Sequence, residues 1–110
     1  MEFKNVEYVK NYDGDTITVN INGVHPLLGE RIPIRIRNID TEEMKTHSKN
    51  AIDAKLFVQV IMTNAKEINL VNVSRGKYFR LVADVYVDGE SLGDMLVEKG
   101  LAIRKYYYRD

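Results

Sequence analysis

Apolar residues recur along this chain with two periods, and each period predicts a different kind of element. Thr16-Ile17-Thr18-Val19-Asn20-Ile21 alternates strictly, which puts Ile17, Val19 and Ile21 on a buried strand face and the polar residues opposite. Before it, Phe3 to Tyr12 mixes β-branched and aromatic residues with charges and predicts a first strand, turned by Asp13-Gly14. Asn22-Gly23 is a hairpin signal, and Val24 to Glu30, with His25-Pro26 and Gly29, reads as a protruding loop. Ile32, Ile34 and Ile36 then alternate with Arg31, Pro33, Arg35 and Arg37 in a third strand. The arginines leave the core face, and Pro33, having no N–H to donate, argues for a free edge there. Glu67 to Val73 is a fourth strand and Tyr78 to Val87 a fifth, in which Phe79, Leu81, Ala83, Val85 and Val87 share one face and Arg80, Asp84 and Tyr86 the other.

Helical spacing appears twice. Ile52, Leu56 and Val60, joined by Phe57 and Ile61, predict an amphipathic helix running to about Asn64 with a wide buried face. The polar run Lys45 to Asn50 precedes it as a loop; Ser48 or Asn50 can cap it, with Asp53 in the first turn. After the Asp88-Gly89 turn, Ser91-Leu92-Gly93-Asp94 is a capping-box pattern opening a second helix that stops at Gly100. The elements together predict a mainly β chain with helices (α+β). Five short strands in an antiparallel meander would leave two edges, and closure removes them, which favours a five-stranded OB-fold barrel with one helix between strands 3 and 4 and one after strand 5.

With 110 residues the chain has room for one core, so residues 1–110 are expected to form a single domain. Sixteen basic residues balance sixteen acidic ones, so any affinity for a polyanion must be local rather than a property of the whole surface. The absence of Cys excludes disulfides, thiolate metal sites and a thiol nucleophile. No run approaches the roughly 18 apolar residues of a membrane span, so no membrane partner is expected. The start, Met1-Glu2-Phe3-Lys4-Asn5, has no apolar core of a signal peptide, which fits a cytoplasmic protein or a secreted one whose signal has been removed.

The candidate chemistry lies where charge of both signs is concentrated. Arg35-Ile36-Arg37-Asn38-Ile39-Asp40-Thr41-Glu42-Glu43 runs from an arginine-bearing strand into carboxylates, Asp13-Gly14-Asp15 adds two more, and Lys77-Tyr78-Phe79-Arg80 adds cations. A phosphodiester is anionic and gains charge in an associative transition state, so its hydrolysis needs cations around it and a base for water. Arg35 and Arg80 can supply forked donors. Asp15 and Asp40 are oxygen ligands with no Cys or His near them in sequence, which favours a hard cation over zinc. Each charge alone would more often serve a turn or a solvated surface; the ordered set is what points to a site. His25 and His47 sit in polar loops without ligand spacing and are expected at the surface.

Asp13-Gly14-Asp15-Thr16, Arg35, Asp40-Thr41-x-Glu43, Lys77-Tyr78-x-Arg80, Asp88-Gly89 and Leu96-Val97-x-x-Gly100-Leu101-Ala102, in that order, resemble the staphylococcal nuclease (thermonuclease) family from about Val9 to Tyr108. Two positions depart from its usual pattern: Glu42 stands where proline is common and Phe79 where glycine is common. The resemblance implies a calcium-dependent nuclease acting on single-stranded or locally melted DNA and RNA as a monomer, leaving a 3′-phosphate and a 5′-hydroxyl. It implies Ca2+ held by Asp15, Asp40 and the main-chain carbonyl of Thr41, with Asp13 behind them. Glu43 matches the family's proposed general base, the alternative being that it mainly orders the water network and the loop. Arg35 and Arg80 would stabilise the phosphorane, Lys77 and Tyr78 would contact the terminal phosphate, and Tyr106 and Tyr108 would flank the nucleotide. The family commonly continues into a further helix, so the chain is expected to be a trimmed domain or one covered by a partner. Two other readings stand beside the nuclease: a nucleic-acid-binding module of the same family that has lost the chemistry, and a barrel binding oligosaccharide or protein.

Overall fold

The computed structural model describes residues 1–77 and 80–106. In chain order the elements are β1 (Glu7–Asp13), β2 (Thr16–Asn20), α1 (Pro26–Gly29), β3 (Ile32–Ile36), β4 (Ile39–Asp40), a 3-10 turn (Met44–Thr46), α2 (Lys49–Thr63), β5 (Ile68–Arg75), β6 (Leu81–Val87), β7 (Glu90–Ser91), α3 (Leu92–Glu98) and β8 (Ile103–Arg104). The five longer strands form one curled half-barrel sheet in the order β1-β2-β3-β6-β5, giving the mixed α+β fold expected.

Strand faces follow the alternation closely. Ile17, Val19, Ile34 and Ile36 are buried, as are Ala83, Val85 and Val87 on β6, and they meet Leu70, Leu92 and Leu96 in one apolar core. The pairing is not a simple meander. The stretch between β3 and β5 contains α2, and β6 returns alongside β3 in parallel, aligning Ile34 with Leu81 and Ile36 with Ala83. Pro33 pairs only with Thr18 of β2, because the parallel register begins one residue later; the free edge its missing N–H requires is therefore local. The sheet's outer edges are drawn together ahead of β1. Phe3 and Leu70 exchange backbone hydrogen bonds of 2.8 Å in both directions, and the Val6 amide donates to the Ile68 carbonyl at 2.9 Å.

Three local expectations change. The Val24–Glu30 loop contains the single helical turn α1, whose start is capped by the His25 ring nitrogen accepting from the Leu27 amide at 3.1 Å. Helix α2 begins as expected, with the Ser48 hydroxyl accepting from the Ala51 amide, but Asp53 lies past the first turn and pairs with Lys49 at 2.7 Å. The third change concerns the face that α2 buries. Ala51, Ala54, Val58 and Met62 are buried, Phe57 and Ile61 pack at the margin, and Ile52, Leu56 and Val60 are 39%, 50% and 57% exposed. The cause is the close approach of the Gly14 turn. A Cβ at Gly14 would lie 2.7 Å from the Ala54 Cβ and 3.2 Å from Thr41 Cγ2, so only small residues on both elements let α2 seat there. Helix α3 keeps its predicted start, the Ser91 hydroxyl accepting from the Asp94 amide, and ends before Gly100, which takes a positive φ.

Candidate functional site

The site is assembled at the ends of β1, β2 and β3, where the turn and the loop leading to α2 meet. β1 and β2 end and begin at the Gly14 turn, which sets Asp13 and Asp15 next to the end of β3. Thr16 lies opposite Arg35 in the β2–β3 ladder, and the Ile36 amide donates to the Asp15 carbonyl at 2.8 Å. Arg37 continues β3 by donating its amide to the Ala83 carbonyl, after which Asn38 takes a left-handed conformation (φ 60°) and turns the chain into β4. That turn places Asp40 on the same side as Arg35.

Arg35 is the hub. Its Nη1 donates to the carbonyls of Ile36 and Ile39, both at 2.9 Å, and its Nη2 donates to Asp40 Oδ1 at 3.1 Å while lying 3.5 Å from Asp15 Oδ2. The Arg35 side chain is 13% exposed, so these bonds fix it with little solvent screening. Asp15 is buried and further held by the Thr16 hydroxyl and the Thr41 amide, each 3.2 Å away. Asp13 accepts the Met44 amide at 2.8 Å, and burial holds its carboxyl above the ordinary carboxylate pKa, with smaller opposing help from that hydrogen bond. Glu43 is exposed and pairs with Lys45 at 3.0 Å, which raises the Lys45 pKa.

Asp13, Asp15, Arg35, Asp40, Glu43, Lys77 and Arg80 all line one cavity of about 420 Å³. Arg37, Asn38 and Lys105 line it too, and the candidate set read from the sequence did not include them. Lys105 is brought there by the two-residue β4–β8 ladder and by its amide donating to the Asn38 carbonyl at 3.0 Å, and its ammonium stands 3.8 Å from Asp40 Oδ2. Its charge beside the tyrosine-rich tail was the one signal that could have found it. Thr41 is buried against Asp15 rather than lining the cavity, and its hydroxyl has no hydrogen-bond partner among the described residues. Tyr106 is 71% exposed and lines a smaller neighbouring cavity. Tyr78 and Tyr108, like Phe79, lie outside the described residues. His25 and His47 are exposed, as expected.

The donor set fits a hard cation. Asp15 and Asp40 converge on the same cationic nitrogen, and the chain has no cysteine to recruit a softer metal. Among the described residues no cluster of three or more His, Cys, Asp or Glu is grouped for a metal, so water, a main-chain carbonyl or a substrate phosphate would have to supply the remaining ligands.

A family model described as a staphylococcal nuclease homologue matches residues 33–110. The chain belongs to the staphylococcal nuclease family. It is 32% identical over 112 residues to the endonuclease YncB of Bacillus subtilis strain 168, a match covering 94% of this chain and 49% of that protein. It is likewise 32% identical over 115 residues to the SPbeta prophage-derived endonuclease YokF of the same organism, covering 97% of this chain and 36% of that protein. The chain thus spans half or less of the length of these relatives. In this member of the staphylococcal nuclease family, the arginine, the paired carboxylates and the acidic corner occupy one cavity, together with cations that the motif alone does not specify.

Proposed function

We propose that this chain is a Ca2+-dependent phosphodiesterase that hydrolyses DNA and RNA, in single-stranded or locally melted form, to 3′-phosphate products. The observation that carries this reading is the placement of Arg35 against Asp40 and Asp15 in a cavity also lined by Arg80, Lys77 and Glu43. Asp15 and Asp40, with the Thr41 carbonyl, would hold the cation, which when bound neutralises charge on the phosphate and polarises it. Arg35, fixed by two main-chain carbonyls, presents a preorganised fork to a phosphorane without having to be ordered at the moment of reaction. Arg80 approaches from the mouth of β6, and its buried Nε has no partner among the described residues, so a phosphate oxygen would satisfy a donor that otherwise goes unpaired. Glu43 takes the proton of the attacking water, Lys77 meets the terminal phosphate, and Tyr106 borders the nucleotide; Tyr78 and Tyr108 join these roles by their place in the motif. The names of the endonuclease relatives support the reaction class.

A binding module of the same family is the second reading, favoured by the exposed Glu43–Lys45 pair, which occupies the carboxylate meant to act as base. A fluorogenic single-stranded oligonucleotide, incubated with Ca2+ or with chelator, separates the two. Chelator-sensitive cleavage is expected. Binding of the oligonucleotide without cleavage at any Ca2+ concentration would replace the enzyme with the binder.

A further inference from the structure

The catalytic cavity does not end at Arg80. Ile36, Arg37 and Asn38 form a partition whose other side is a second cavity of about 150 Å³, between the outward face of β6 and the start of α3. Tyr86, Ser91, Asp94, Arg104 and Tyr106 line this second space. None of them is needed by the reaction as derived above, except that Tyr106 stands at the border.

The partition is rigid. The Arg37 Nη2 donates to the Asn72 carbonyl at 2.8 Å and to the Ser74 hydroxyl at 2.6 Å, binding the end of β3 across β6 to β5. Asn38 is fixed from the other side by the Lys105 amide, and Arg104 pairs with Asp94, fastening β8 to α3. The two spaces are therefore held at a fixed separation by backbone and side-chain bonds, which is what successive subsites on one polymer require.

The chemistry of the second space differs from the first. Arg37 and Arg104 are balanced there by Asp84 and Asp94, so no net charge draws a phosphate in. Aromatic surface is supplied by Tyr86, 36% exposed, and by Tyr106, and hydrogen-bonding groups by Ser91, Asn38 and Asp94. Flat aromatic faces with mixed donors and acceptors, at a volume near that of one heterocycle, are the requirements of a nucleobase. Lys105, on the catalytic side of the partition, is placed to meet the phosphate linking the two nucleotides.

We infer that the cavity bordered by Tyr86, Arg104 and Tyr106 is a base subsite for the nucleotide adjoining the one at the catalytic cavity, so that the chain recognises a single strand longer than one nucleotide unit. This rests on the nuclease reading of the first cavity. The subsite makes Tyr86 a specificity residue that stacks on a base while taking no part in bond breaking.

The test compares ligands of two lengths, with Ca2+ present and in the Glu43→Gln background so that the longer one survives. Affinities are measured for a nucleoside 3′,5′-bisphosphate, a single-stranded tetranucleotide, and tetranucleotides lacking one terminal base. The intact tetranucleotide is expected to bind about tenfold more tightly than the bisphosphate, in line with one stacked base. Tyr86→Leu should remove most of that gain and leave bisphosphate affinity unchanged, and deleting the base at one particular end should do the same. Equal affinity for the two lengths, or a gain that survives Tyr86→Leu in folded protein, overturns the subsite while leaving the nuclease reading in place. Failure of the bisphosphate itself to bind with Ca2+ overturns the nuclease reading, and the subsite with it.

Discussion

The Asp13 carboxylate accepts the Met44 amide hydrogen at 2.8 Å, tying the β1–β2 turn to the residue that follows Glu43. This bond links the turn that presents Asp15 to the loop that presents Glu43. Burial raises the Asp13 pKa, and the neighbouring Asp15 and Glu43 add to the rise. A raised folded-state pKa means that the native state favours the protonated carboxyl. Its stabilising contribution is complete below the unfolded value of about 3.9 and is lost as pH rises through the higher folded value. Asp13→Asn keeps an oxygen to accept from Met44 and removes the titration. The variant should melt at a higher temperature than the parent at pH 7, with the difference shrinking toward pH 3.5. Parallel melting curves for the two proteins across that range would show that Asp13 carries no such cost.

Arg35 and Arg80 differ in what holds them, so equal substitutions should have unequal effects. Lysine at position 35 keeps the charge but cannot satisfy the Ile36 and Ile39 carbonyls and Asp40 together. Arg35→Lys should therefore cost about 1–3 kcal/mol of stability in denaturant unfolding, as well as turnover. Arg80→Lys gives up a guanidinium whose buried Nε has no partner among the described residues. It should lower turnover by about 10²-fold or more with stability changed by less than about 1 kcal/mol. Equal stability losses would show that the two arginines share one structural role.

Strand faces were legible because alternation records which side is buried, and Ile17, Val19, Ile34 and Ile36 obey it. The face of α2 was not, because periodicity weighs large side chains and the decisive residues are small. Ala51 and Ala54 are fully buried, and the Gly14 turn presses against Ala54, a long-range demand that leaves no mark in the spacing of Ile52, Leu56 and Val60. In the same way, the motif marked the cavity's carboxylates and arginines, whereas Lys105 enters it through a two-residue ladder too short for any periodic signal. The consequence for stability is direct. Met62→Ala should cost about 2–5 kcal/mol, whereas Leu56→Gln or Val60→Gln should each change stability by no more than about 0.5 kcal/mol. Chemical denaturation of the three variants checks this, and a large loss at Leu56 would mean that its face is covered in solution.

Tyr106 is exposed enough that its loss should leave folding intact. If it borders the bound nucleotide, Tyr106→Leu should weaken nucleoside bisphosphate binding by about 1–3 kcal/mol while turnover of saturating oligonucleotide changes little. Calorimetric titration with Ca2+ present measures the first and steady-state kinetics the second. An unchanged affinity would remove Tyr106 from the nucleotide's surroundings.

Glu43 decides between catalysis and binding, and Lys45 decides whether Glu43 is available. The pair is formed at 3.0 Å between two exposed side chains, so water and salt screen it and a substrate-bound state can break it at little cost. Glu43→Gln preserves shape while removing the basic oxygen. If Glu43 accepts the water proton, turnover should fall by about 10²–10⁴-fold with bisphosphate affinity retained. Lys45→Ala should leave turnover unchanged or raise it, most visibly at low ionic strength, where the competing pair is strongest. Single-turnover cleavage of a labelled oligonucleotide by both variants, at two salt concentrations, supplies the comparison. A fall of only a fewfold in Glu43→Gln would assign Glu43 to ordering the loop and its water. A fall of similar size in Lys45→Ala would show that the ion pair itself belongs to the working site rather than restraining it.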